Sequence, residues 1–220
     1  MIITKETTRR PFIKSLLATS AVVPVHGLVS AELQKTQRMG EGPFYPDKFP
    51  LDTDNDLVKI NSNGEQAKGE ITYLSGKLLD IKGKALSNFE IEIWQVDNNG
   101  VYLHSGSANK SNNDPLFQGF GRTITNQSGE FYFRTIKPVD YPGRVPHIHV
   151  AVNLNNKRLL TTQLLVKGHS NNAKDGLFRR VKSEAARESV LADYRQVKGA
   201  PETTWEVSHN LVLGQTPEAK

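Results

Sequence analysis

The stretch FEIEIWQVDNNG (89–100) alternates two kinds of side chain and then stops at a turn. Phe89, Ile91 and Ile93 fall on one face of an extended chain and Glu90, Glu92 and Trp94 on the other, the period of a strand with two distinct surroundings. Asp97-Asn98-Asn99-Gly100 supplies the turn chemistry that ends it. Working outward, ITYLSGKLLD (71–80), GRTITN (121–126), EFYFRTI (130–136), HIHVAVNL (147–154) and LLTTQLLV (159–166) read as further strands, joined by connectors such as Gln127-Ser128-Gly129 and Asn155-Asn156. Short strands at regular spacing predict an all-β fold, an antiparallel β-sandwich with irregular connecting loops and one short C-terminal helix. That helix is expected within 183–197, SEAARESVLADYRQV, with Ser183 as its N-cap and Lys198-Gly199 past its end. A last strand is expected over 204–213, and EGPFYP (41–46) as an extended segment laid across a sheet.

Composition narrows the function classes. The chain has 220 residues, 37% apolar, enough to bury one sizeable core. Charged residues make up 23%, and no uncharged apolar run reaches the roughly 20 residues of a membrane span, so stable membrane insertion is not expected. The net charge is +5, but four of the 28 basic residues (Lys5, Arg9, Arg10, Lys14) and one of the 23 acidic ones (Glu6) precede Glu32, leaving +2 for the remainder. That bias is too small to argue for nucleic acid. With no cysteine there is no disulfide, thiolate metal site or cysteine nucleophile, and any metal must take nitrogen and oxygen ligands.

TTRRPFIK (7–14), then SLLATSAVV, then Val29-Ser30-Ala31 give a basic start, an apolar stretch and small residues at a cleavage site. Residues 1–31 therefore read as a signal peptide, and Arg9-Arg10 with Phe12 and Lys14 resembles the twin-arginine type. Residues 32–220 would then form one exported domain, periplasmic or extracellular, folded before it crosses the membrane.

The chemistry sits in YPGRVPHIH (141–149). His147 and His149, two apart on a strand, present both imidazoles to one point while Ile148 faces the opposite layer, which makes half of a metal site. Alone, an H-x-H is equally a pair of exposed histidines. Tyr102 after a tight turn, Tyr141, Arg144 and Gln163 stand at suggestive places around the pair.

IEIWQVDNNGVY (91–102), DPLFQGFGRTITNQSGEFYFRTIKP (114–138), YPGRVPHIHV (141–150) and LTTQ (160–163) resemble, in order, the signature blocks of the intradiol ring-cleavage dioxygenases. The resemblance runs from about Glu41 to Gln163. It implies one non-haem Fe(3+) per chain, held by Tyr102, Tyr141, His147 and His149, with a small catecholic substrate and O2 as partners. It also implies cleavage between the two hydroxyl-bearing carbons to a cis,cis-muconate-type dicarboxylate. Two phenolates are hard anionic donors that favour Fe(III) over divalent ions. Arg144 matches an arginine beside the bound ring, where a fixed cation stabilises negative charge. Tyr141 matches the ligand displaced by substrate, Gln163 a glutamine on the neighbouring strand, and Pro43 and Tyr45 a segment lining the pocket. Trp94 and Phe120 read as core or pocket wall, and His104, two residues from Tyr102, as lying behind the ligands or exposed.

Only five residues separate Tyr141 from His147, fewer than in the better-known members, and Leu164-Leu165-Val166 replaces a stretch where aromatics are common. There is also no long helical N-terminal segment like that of the catechol enzymes. These departures leave substrate identity open, and homo-oligomerisation is left open too. Two other readings compete. GKLLDIKGKALSNFEIEIWQVD (76–97) also resembles β-sandwich modules of adhesins and carboxypeptidase-like regulatory domains, which would make this a non-enzymatic exported binding or stalk unit. A divalent-metal hydrolase would need a carboxylate or a third histidine near the pair.

Overall fold

The computed structural model describes residues 31–58 and 65–214. The expected signal segment lies almost wholly outside them. Ten strands and one helix follow in order: β1 (Ile71–Asp80), β2 (Glu90–Trp94), β3 (Phe120–Ile124), β4 (Glu130–Ile136), β5 (His147–Leu154), β6 (Lys157–Val166), α1 (Glu184–Glu188), β7 (Leu191–Ala192), β8 (Arg195–Gln196), β9 (Thr204–Ser208) and β10 (Leu211–Leu213). Two five-stranded sheets result. In one, β1 is flanked by β4 and by β9 and β10, with β8 beyond β9; the other runs β3-β2-β5-β6-β7. No helix among the described residues is long and apolar enough to cross a membrane.

The alternation read from 89–94 places Ile91 and Ile93 in the core between the sheets, where they meet Ile148, Val150 and Val152 of β5 and Leu74, Leu78, Phe131 and Phe133 of the facing sheet. Full burial of each such side chain contributes roughly 1.5–3 kcal/mol of transfer free energy. β5 is buried on both faces from His147 to Asn153. Its other face carries His147, His149 and Ala151, beside Trp94 of β2 and Gln163 of β6, because Trp94 pairs with His149 and His149 with Gln163 in register.

The segment before β1 bonds to one strand of each sheet. Thr36 N–H donates to Val212 O, Met39 N–H to Thr161 O, and Thr162 Oγ1 to Gln37 O, which straps the chain over β10 and β6. Further along the strap, Arg158 pairs with Glu41 and, at 2.6 Å, with buried Glu92.

Three expectations are corrected. The helix stops at Glu188, not at Val197, although Ser183 does cap it by accepting from Ala186 N–H at 3.1 Å. The exposed edge of β6 is the reason: Leu165 and Lys167 N–H need acceptors and take the carbonyls of Val190 and Ala192, which pulls 191–192 into a strand. The strand expected over 204–213 is broken at His209-Asn210. There His209 N–H turns to Ser75 O, and Asn210 Oδ1 accepts from Lys77 N–H in place of a backbone carbonyl. Finally, the sandwich is not wholly antiparallel, since β9 and β10 run parallel to β1 and β7 parallel to β6.

Candidate metal centre

Two turns deliver the tyrosines. In the first, Asp97 Oδ1 accepts from Asn99 and Val101 N–H, Gly100 N–H closes on Asp97 O, and Gly100 takes φ 77°. Tyr102 follows immediately, its N–H held by Ser107 Oγ at 2.9 Å. In the second, Tyr141-Pro142-Gly143-Arg144 forms a tight turn in which Tyr141 and Arg144 bond each other's backbone and Gly143 takes φ 83°. Proline then a left-handed glycine is the type II pattern, and it sets Tyr141 and Arg144 side by side. The two turns touch: a Cβ on Gly100 would stand 3.4 Å from Tyr141 Cβ.

On the outer face of the second sheet, three side-chain atoms converge. Tyr102 Oη lies 2.9 Å from His149 Nε2 and 3.4 Å from His147 Nε2, and the two imidazole nitrogens are 3.1 Å apart. All three residues are buried. Tyr141 packs edge-on to Tyr102, with ring centroids 5.3 Å apart, and 5.6 Å from the His147 ring, but remains half-exposed. It borders an open cavity of about 370 Å³ together with Arg144, Asn171, Lys174 and Asp175.

Protonation decides what this cluster can hold. His147 Nδ1 is 2.6 Å from Val145 O, so it carries the proton and leaves Nε2 with a lone pair. Burial, with the positive charge of Arg144, lowers the His147 pKa to about 4, and burial with His147 as neighbour lowers that of His149 well below the ordinary value. Both rings are therefore neutral donors at pH 7. Burial, and then Tyr141, push the Tyr102 phenol far up, so only a nearby cation would ionise it. With the same tautomer at His149, two imidazole lone pairs face each other and one phenol proton serves three atoms. A cation at their centre would satisfy all three at once. Among the described residues no group of three His, Cys, Asp or Glu side chains could hold a metal, so the phenols are needed to complete the set. The residues fit a hard, highly charged cation.

The remaining expected site residues are placed as follows. Arg144 donates from Nε to Asp175 Oδ2 at 2.8 Å and from Nη2 to Gln163 Oε1 at 2.5 Å. Gln163 is fully buried opposite His149 and donates to Gly40 O at 2.6 Å. Trp94 stacks on His149 at 4.7 Å and 10° and forms its wall. Pro43 is exposed, and the Tyr45 hydroxyl bonds Glu92 Oε2 at 3.0 Å while its ring lies edge-on to Trp94. Between them Phe44, which sequence reasoning passed over, stacks on Tyr102 at 5.0 Å. His104 stays outside the cluster: its Nδ1 accepts from Gly106 N–H at 2.9 Å and its ring lies edge-on to Phe44. Asp175 was also passed over, because its partner lies 31 residues away and the sequence around it shows only turn chemistry.

Comparison with known proteins adds the following. A family model described as Dioxygenase matches residues 40–215. The protocatechuate 3,4-dioxygenase beta chain of Burkholderia cepacia is 33% identical over 173 residues, covering 74% of this chain and 72% of that one. Hydroxyquinol 1,2-dioxygenase of Rhizobium sp. (strain MTP-10005) is 26% identical over 175 residues, and the match takes in only 56% of that enzyme's length. Among solved structures, the dioxygenase domain of a dioxygenase carbohydrate-binding protein fusion from Streptomyces sp. SirexAA-E superposes with a TM-score of 0.63 at 27% identity, covering 83% of this chain and 99% of that domain.

Proposed function

Because the chain belongs to the intradiol ring-cleavage dioxygenases, we propose that it opens a catechol-type ring between its two hydroxyl-bearing carbons. O2 is the co-substrate, and one Fe(III) per chain is held by Tyr102, Tyr141, His147 and His149. The observation that carries this reading is the convergence of Tyr102 Oη, His147 Nε2 and His149 Nε2 within 2.9–3.4 Å of one another, all three residues buried. When bound, the ferric ion draws electron density from a chelated catecholate and makes the ring reactive toward O2.

The chain's own residues divide the rest of the work. Tyr102 and the two histidines are buried on a strand and a pinned turn, so they stay in place through turnover. Tyr141 is the half-exposed member beside the cavity, so it is the phenol that yields to substrate, its Oη accepting one of the two catechol protons. Arg144, one turn residue away from Gly143, offers a fixed cation to the electron-rich ring. Trp94, fully buried against His149, keeps water from the back of the site. Gln163 orients Arg144 and does not itself reach the converging donors in the described contacts.

The test is direct. Iron-reconstituted protein given catechol, protocatechuate or hydroxyquinol should consume one O2 per ring, and with ¹⁸O2 at least one of the three should yield a product heavier by two labelled oxygen atoms. No O2 uptake with any of the three overturns the reading. The proposal includes export, on the pair Arg9-Arg10. Lys at both positions should strand folded, active protein in the cytoplasm, because the twin-arginine machinery reads paired guanidinium groups. Normal export of that variant would point to an ordinary secretory signal.

A further inference from the structure

We infer that Asp175 is a positioning residue for Arg144, the anchor that decides which edge of the guanidinium the substrate meets. This rests on the role given to Arg144 above. The Asp175 side chain is completely buried, and both its oxygens are used. Oδ1 accepts from Leu177 and Phe178 N–H, each at 3.0 Å, which fixes the carboxylate to the turn of Asp175-Gly176-Leu177-Phe178. Oδ2 accepts from Arg144 Nε at 2.8 Å.

Gln163 holds the other side. Its Oε1 takes Nη2, and its own Nε2 is tied to Gly40 O, so it too is fixed. An arginine has a planar fork with donors on two edges. Here one edge is clamped by two immobile acceptors, and Nη1 has no hydrogen bond to any described residue. The clamp restrains the guanidinium from rotating about its long axis or swinging toward solvent, in a residue that lines the same cavity as Tyr141.

A buried ion pair is by itself weak support for stability, since desolvation consumes much of the Coulomb gain. Orientation is the stronger account, because misplacement by about 1 Å in a catalytic array costs roughly 10²-fold in rate. Asp175→Asn separates the two. The Asn carbonyl can still accept from Leu177 and Phe178, but its amide would face Arg144 Nε–H donor to donor.

In the iron-loaded enzyme, Asp175→Asn should lower kcat by about one to two orders of magnitude with KM altered far less. The double variant Asp175→Asn/Arg144→Ala should turn over no more slowly than Arg144→Ala alone, as expected when one residue acts through the other. Asp175→Ser, which keeps an oxygen for the turn amides, repeats the test if the Asn variant does not fold. In metal-free protein, the NMR signal of Arg144 Nε–H, assigned by its loss in Arg144→Ala, should exchange with solvent at least ~10-fold faster once Asp175 is replaced. Multiplicative losses in the double variant, or an unchanged exchange rate, overturn the inference while leaving the active-site reading intact. Unchanged turnover in Arg144→Ala would overturn the reading itself and the inference with it.

Discussion

His149→Gln is expected to give a folded protein that has lost most of its iron and, with it, ring opening. His149 sits at the centre of the converging set, its Nε2 within 2.9 Å of Tyr102 Oη and 3.1 Å of His147 Nε2. The core it leaves behind does not depend on it. Ile148, Val150 and Val152 face the other sheet, whereas His149 packs on the outer face against Trp94, Tyr102 and His147. Replacing residues that merely orient a metal ligand costs 10–100-fold in affinity, so removing a ligand should cost at least about 100-fold. Metal analysis beside a circular dichroism spectrum checks this, with a β-rich spectrum near wild type and iron well below one per chain. His147→Gln should behave alike. Full iron occupancy in both variants would remove the pair from the site.

Arg144→Ala carries the second large effect and separates catalysis from metal binding. The guanidinium supplies no lone pair to a cation, so iron content should stay near normal. Turnover should fall by about two to three orders of magnitude, the scale for deleting one preorganised electrostatic stabiliser. The variant also leaves Asp175 buried without its cation. A missing partner for a buried charge costs roughly 3–5 kcal/mol when nothing compensates, but the turn amides of Leu177 and Phe178 remain on its carboxylate and reduce that. Steady-state kinetics at matched iron content, with a thermal melt, distinguishes a fall in kcat from a loss of folded protein. Turnover equal to wild type would place Arg144 outside the active site.

Much of this was legible because the decisive signals are local. Period-two alternation over 71–80 and 130–136 reproduces β1 and β4 residue for residue, since each strand sorts its own side chains between core and outer face. The same rule puts Ile148 in the core and both histidines opposite, before any partner strand is known. Pro142-Gly143 and Asp97 through Gly100 specify their turns by backbone requirements alone. What the sequence concealed depends on distant neighbours. Residues 189–197 have helical composition, but the edge of β6, some 25 positions earlier, claims Leu191–Ala192 as strand, and β9 claims Arg195–Gln196. His209-Asn210 interrupts what reads as one strand because β1 changes partners there. Asp175 and Phe44 acquire meaning only through Arg144 and Tyr102, to which nothing in their immediate sequence points. His104 has the right spacing from Tyr102 to compete with it, yet the 102–107 turn binds its Nδ1 to Gly106 N–H and removes it from the set.

The central claim is a ferric ion held by tyrosinate, and the absorption spectrum of the purified, iron-reconstituted protein, read with its metal content, tests it most directly. Phenolate bound to Fe(III) absorbs visible light by ligand-to-metal charge transfer. The account predicts a coloured protein with one iron per chain, a band altered in Tyr102→Phe both before and after catechol is added, and a band unchanged in His104→Gln. A colourless protein that stays iron-free after reconstitution, or a band lost with His104 and indifferent to Tyr102, would contradict it.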